Sequence, residues 1–148
     1  MNVSEVMTED PICCSPDDSI QEVASQMAKQ DCGEIPVVDS QRRPIGVVTD
    51  RDICCRAVAK GRDPSSTSAR EVMTEPVITV TPEDSIETCC QHMEENQIRR
   101  IPVVDGNGVI CGIVAQADIA LTTSEETIAE IVRDVSRPTQ GDGFRLSL

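Results

Sequence analysis

Hydrophobic and polar positions along the chain alternate between a helical period and a strand period. Ile20, Val23, Ala24 and Met27 recur at helical spacing, which predicts a helix with one buried face. Ser15-Pro16-Asp17-Asp18 predicts its start, with Ser15 as N-cap, proline at the first helical position and acids in the first turn. Gly33 is placed to end it. Ile35-Pro36-Val37-Val38 and Ile45-Gly46-Val47-Val48 read as two strands around a polar turn at residues 39–44. A further helix is expected over residues 52–60, stopping at Gly61. Ahead of these, Asn2 caps a short helix at residues 3–7, and residues 10–14 form a short extended run.

The whole pattern then recurs. A shift of 66 residues superposes 5–53 on 71–119 without a gap and with roughly 20 identities. Val6-Met7-Thr8 becomes Val72-Met73-Thr74, and Ile35-Pro36-Val37-Val38-Asp39 becomes Ile101-Pro102-Val103-Val104-Asp105. Each copy reads helix, strand, helix, strand, strand, helix, too small to bury both faces of its own sheet. The expected fold is therefore α/β (α+β), with two copies packed about a pseudo-twofold axis. The units are 1–61, a polar and flexible linker at 62–67, 68–122, and a C-terminal helix with a tail at 123–148. That last helix is capped at Ser124, carries Ile128, Ile131, Val132 and Val135 on one side, stops at Pro138, and leaves a frayed tail from Thr139.

The stretch Gly46-Val47-Val48-Thr49-Asp50-Arg51-Asp52-Ile53 is the candidate chemistry. A strand ends there and a helix begins, gathering short polar side chains. The Thr49 hydroxyl and Asp52 carboxylate suit a vicinal diol such as a ribose, and Arg51 suits a phosphate. The alternative, that Thr49 or Asp50 only caps the helix, remains open at this stage.

Composition narrows the partners. The aromatic side chains amount to Phe144 alone, so the core is built from Ile, Val, Met, Ala and Cys. A net charge of −13 argues against nucleic acid or an anionic membrane, both of which need clustered Lys and Arg. No basic segment precedes an apolar one at the N-terminus, and no long apolar run occurs, so a soluble, cytoplasmic protein is expected. Six of the eight cysteines are adjacent pairs, none is spaced CxxC, and the single His92 makes a zinc site unfavourable. Seven cysteines, Cys14, Cys32, Cys54, Cys55, Cys89, Cys90 and Cys111, align with hydrophobes in the other copy and are expected in the core; Cys13, opposite Thr79, is the exception.

Val-Met-Thr, a Ser/Thr-Pro helix start, Ile-Pro-Val-Val-Asp and Gly-Val-Val-Thr-Asp-Arg-Asp-Ile, twice over, resemble a tandem pair of cystathionine-β-synthase (CBS) domains, a Bateman module, across about residues 3–122. With no other domain attached, the chain resembles a stand-alone bacterial CBS-pair protein of the hypoxic-response type. The resemblance implies a non-enzymatic regulatory protein that binds an adenosyl ligand (AMP, ADP, ATP, S-adenosylmethionine or an NAD-type compound) between the repeats, with no required cofactor. It also implies a homodimer acting on an unknown regulated protein. By analogy with the γ subunit of AMP-activated kinase, it places Thr49, Arg51 and Asp52 with Pro76, Val77, Ile78, Arg99 and Arg100 in one cleft. The second cleft, with Pro11, Ile12, Glu34 and Asp118, has Ala115 and Ala117 where the first has Thr49 and Arg51. Glu34 would repel phosphate there, so a neutral adenosyl compound, weak binding or no binding are all open, and one dominant nucleotide site per chain is expected. The dimer is expected to use helical stripes formed by Ile20, Val23 and Met27 or by Ile86, Cys89 and Met93. A thiol-based redox sensor is the alternative function. An enzyme is disfavoured because His92 has no evident acid or nucleophile beside it.

Overall fold

The structure, a computed structural model, describes residues 1–122 and 125–137, the side chains of 125–128 excepted. The first repeat contributes an antiparallel pair, β2 (Glu34–Val38) and β3 (Pro44–Thr49). The second contributes β4 (Arg100–Val104) and β5 (Ile110–Ala115) in the same register, with Ile35 opposite Val48 and Ile101 opposite Val114. Helices α1 (Ile20–Gln30) and α4 (Ile86–Asn96) bury their apolar faces in the two cores. The mixed helix-and-sheet class and the twofold repeat expected from the sequence are both present.

The repeats exchange their opening segments. Strand β1 (Thr8–Glu9), from the first repeat, pairs with β5 of the second. In return Thr74, two residues beyond α3 (Ala69–Val72), bridges Val47 of β3. Val3 is therefore fully buried in the second repeat's core beside Val114 and Ile119, while Ala69, Val72 and Met73 complete the first repeat's core. Each core is finished only by the other copy, which resolves the shortage of buried area expected of so small a unit. Two equivalent glycines admit the exchange. A Cβ on Gly46 would lie 2.8 Å from Met73 Sδ and 3.0 Å from the Thr74 carbonyl oxygen. One on Gly112 would lie 2.7 Å from Met7 Sδ and 3.1 Å from the Thr8 carbonyl oxygen.

Several expectations need correction. Helix α1 starts at Ile20 rather than after Ser15, because Ser19 is the residue whose hydroxyl accepts the Glu22 N–H, at 3.2 Å. Ser15 to Asp18 instead close a turn, in which the Ser15 N–H donates to the Asp18 carboxylate. Asp31, at φ 51°, takes the left-handed C-cap expected of Gly33. Gly33 serves a different need: an added Cβ would lie 2.9 Å from an Asp50 carboxylate oxygen. Of residues 10–14 only Cys14 makes a strand bridge, to Val37. The linker at 62–67 is fastened rather than free, since Thr67 is buried, its carbonyl accepts the Ile20 N–H and its hydroxyl donates to the Asp63 carbonyl.

The stripes expected to join two subunits are covered within the chain: Ile20, Val23, Met27, Ile86, Cys89 and Met93 are all buried. Each helix lies on its own repeat's sheet, so that apolar face is used before a second subunit is needed. Helix α2 (Asp50–Arg56), followed by a 3-10 turn to Lys60 and the left-handed Gly61, matches the predicted helix closely. Its Cys54 and Cys55 are exposed, not core. Alignment with Ala120 and Leu121 misled, because Leu121, just past α5 (Gln116–Ala120), is itself 88% exposed. Cys14, Cys89 and Cys90 are buried as expected. In α6 (Glu125–Val135), Ile131 and Val135 enter the second core but Val132 faces out. The expected Ser124 cap, the Ile128 side chain, the Pro138 stop and the tail lie outside the described residues.

Candidate functional site

Strand β3 runs directly into α2, and β5 into α5, so the two strand-to-helix junctions are built alike. The Thr49 hydroxyl accepts the Asp52 N–H and the Asp52 carboxylate accepts the Thr49 N–H, each at 3.0 Å. This reciprocal cap satisfies two backbone donors that the start of a helix otherwise leaves open. Asp52 is also 7% exposed and accepts the Thr74 hydroxyl at 3.1 Å. Arg56 lies 3.8 Å from it and donates to the carbonyls of Val72 and Met73. The two residues read as ribose ligands thus cap α2, and Asp52 also clasps the exchanged segment of the second repeat. At the other junction Asp118 accepts the Ala115 N–H at 3.0 Å, but alanine returns no hydroxyl.

Between the junctions lies a cavity of about 570 Å³. Gly33 and Glu34 line it from the start of β2, Thr49, Asp50 and Arg51 from the first junction, residues 97–100 from the approach to β4, and Ala115, Gln116 and Ala117 from the second junction. The backbone repeats itself around it: the Asp50 N–H donates to the Gly33 carbonyl and the Gln116 N–H to the Arg99 carbonyl. Among the described residues, the guanidinium groups of Arg51, Arg99 and Arg100 make no hydrogen bond and no ion pair within 4.0 Å. Three such cations in one cavity of a chain with net charge −13 are an anion-binding arrangement.

Glu34 stands against them. Burial pushes its carboxyl up from 4.5 to about 7, Arg100 pulls the other way, and Asp52 adds to the rise. One Glu34 oxygen, Oε2, and the Gln116 amide nitrogen are buried without a partner.

Of the residues singled out in the sequence, Thr49, Arg51, Arg99 and Arg100 come together on the cavity, and Glu34, placed in the second cleft, lines the same cavity. Asp52, Asp118, Pro11, Ile12, Pro76, Val77 and Ile78 are not among its lining residues. Residues 76–78 run on from Thr74, and so begin beside Asp52. Gln116 was missed; the 66-residue shift that aligns it with Asp50 carried the signal, an acid exchanged for an amide. Among the described residues one trio of carboxylates, Glu94, Glu130 and Asp134, is close enough to hold a cation, although Asp134 is already paired with Arg137 at 3.0 Å.

The model of the CBS domain matches residues 3–57 and again 69–125. The chain belongs to the CBS domain family. This CBS pair is 40% identical over 136 residues to the CBS domain-containing protein YhcV of Bacillus subtilis, covering 91% of this chain and 95% of that one. It is 36% identical over 119 residues, 80% of its own length, to the uncharacterized protein MK0525 of Methanopyrus kandleri, and spans 61% of that protein. Its fold matches Hypoxic Response Protein I, solved with two coordinated zinc ions, at a TM-score of 0.78, 31% identity and coverage of 84% and 100%. The CBS pair of protein MJ0100, solved with 5′-methylthioadenosine and S-adenosyl-L-methionine, matches at a TM-score of 0.74 and 28% identity, covering 82% of this chain and 94% of that one. Among the described residues no helix is long and apolar enough to cross a membrane.

Proposed function

We propose that this CBS pair is a non-enzymatic regulatory module that binds an adenosyl ligand, foremost an adenine nucleotide, between its repeats and passes the bound state to a partner protein. The observation that carries the reading is the set of three unpaired guanidinium groups, Arg51 from the first repeat with Arg99 and Arg100 from the second, around one cavity. A phosphate group that met Arg51 and either of the other two would tie the repeats together, and a rigid link between two halves is what a regulatory partner can sense. The MJ0100 pair, solved with two adenosyl compounds, supports the ligand class. The module is proposed to act as a homodimer in the cytoplasm. Apolar surface for the contact remains at Val58, 60% exposed, and Leu121, at the ends of the two junction helices.

Calorimetric titration with AMP, ADP, ATP, NADH and S-adenosylmethionine tests the ligand class. Binding of at least one with a dissociation constant below about 1 mM is expected; silence from all five sinks the proposal. Light scattering tests the assembly: a particle twice the 16.0 kDa chain is expected, and a 16.0 kDa particle at micromolar concentration contradicts it.

A further inference from the structure

Two orphaned polar atoms among the described residues lie in the same place. Glu34 Oε2 and Gln116 Nε2 are the buried side-chain atoms without partners among the described residues, and both residues line the cavity between the repeats. A buried donor or acceptor left unmade is costly, so such a pair in one cavity marks groups kept for something that enters. The Gln116 amide presents an unmade N–H there. Arg100, on β4, is near enough to draw on the Glu34 charge, yet no N···O contact between them falls within 4.0 Å. The acid and its counter-charge thus line one cavity without being joined in an ion pair.

We infer that Glu34 gates this cavity by charge: a polyanionic group seats against Arg100 and the Gln116 amide with the Glu34 carboxyl protonated, so ligand binding takes up a proton from solvent. When ionised, Glu34 repels the anion and holds part of the Arg100 field. When protonated, it donates its O–H to a ligand oxygen and leaves Arg100 to the ligand. The other charges around it agree with this balance. Asp52 on α2 opposes its ionisation, Asp50 sits against the neighbouring Gly33, and Arg51 and Arg99 line the same cavity. With its carboxyl poised at about 7, Glu34 changes state over the range where a cell operates. The inference rests on the reading of this cavity as the ligand site.

Titration calorimetry on the full chain tests it, using inorganic tripolyphosphate, ATP and adenosine at pH 6 and pH 8 on wild type and Glu34→Gln. A group titrating near 7 passes from about nine-tenths to about one-tenth protonated over that span, so wild-type affinity for tripolyphosphate should fall about tenfold more than the variant's. The probe's own protonation is common to both proteins and cancels in the comparison. Adenosine should bind alike at both pH values. Equal pH dependence in the two proteins, or no tripolyphosphate binding at pH 6, overturns the gate. If tripolyphosphate shows the coupling while ATP and adenosine do not bind, the gate stands and the adenosyl reading falls. If ATP and adenosine bind without any difference between wild type and variant, the reverse holds. Should the variant fail to fold, the carboxyl carbon resonance of Glu34 in wild-type protein decides: tripolyphosphate should raise its midpoint by at least about one pH unit, and an unmoved midpoint overturns the gate.

Discussion

Glu34 and Arg100 hold the same position in the two repeats, 66 residues apart, each as the first residue of the first strand of its hairpin. The pseudo-twofold arrangement brings this acid and this base onto one cavity. A duplicated fold would by itself place like beside like at its axis. Divergence at this pair, as at Asp50 and Gln116 or Arg51 and Ala117, makes the axis polar.

The buried acid links stability to pH. Glu34 in the folded chain titrates near 7, above its ordinary 4.5, so its contribution is fully present below about pH 4.5 and is lost as pH rises through 7. Glu34→Gln should therefore be close to neutral at pH 4.5 and stabilising at pH 8, by up to about 3 kcal/mol. Urea melts of both proteins at the two pH values measure this. A variant equally or less stable than wild type at pH 8 would contradict it.

The exchanged segments should be intolerant of the smallest side chain at two equivalent glycines. Gly46→Ala and Gly112→Ala each set a methyl against a methionine sulfur and a backbone carbonyl oxygen. The sulfur can turn away but the carbonyl belongs to the strand bridge, so a loss of about 1–3 kcal/mol is expected at each site. Gly106→Ala, where nothing lies within 4 Å, is the control and should cost much less.

Asp52 and Asp118 hold equivalent positions but different work. Asp52→Ala removes the bond to Thr74 across the repeats and the cap on Thr49 and should cost about 2 kcal/mol. Asp118→Ala removes one capping bond and should cost about half as much. Thermal or denaturant unfolding reads the difference; equal losses would show that the Asp52–Thr74 clasp contributes little.

Thiol reactivity should divide the eight cysteines. Burial pushes the Cys14 and Cys89 thiols up to about 12 and that of Cys90 to about 11, which suppresses the thiolate. Cys54 and Cys55 are exposed on α2. Native protein should thus label fast at Cys54 and Cys55, mapped by mass spectrometry, more slowly at the part-buried Cys13, Cys32 and Cys111, and at Cys14, Cys89 and Cys90 only on unfolding. Fast labelling of the buried three would contradict the core described above.

Much of this molecule was legible because duplication writes each feature twice. The strands at 35–38 and 45–48, the helix after Thr49 and the pairing of the repeats follow from period, turn residues and the 66-residue shift. The start of α1 did not, because Ser15 and Ser19 are both good caps; the Ser19 hydroxyl takes the Glu22 N–H, and the tertiary bond from Ile20 to Thr67 fixes the helix start there. The candidate cavity was legible in its arginines, whose residue type and clustering are visible in one dimension. The second use of Asp52 was not, since it depends on the exchange of opening segments, and neither was the placing of Glu34 and Arg100 on one cavity, which depends on how the two repeats pack. Matching a cysteine to a hydrophobe also failed as a burial test at Cys54 and Cys55, because the matched Leu121 is exposed too.

The most direct measurement is the affinity of ATP and of adenosine for wild type and Arg100→Ala at pH 7. A charge-assisted hydrogen bond contributes about 1.5–3 kcal/mol, and about 1.4 kcal/mol is a factor of ten. If the guanidinium groups between the repeats hold the phosphates, Arg100→Ala should weaken ATP at least about tenfold and leave adenosine within about twofold. Equal losses for the two ligands, or ATP affinity unchanged by the substitution, would contradict the account.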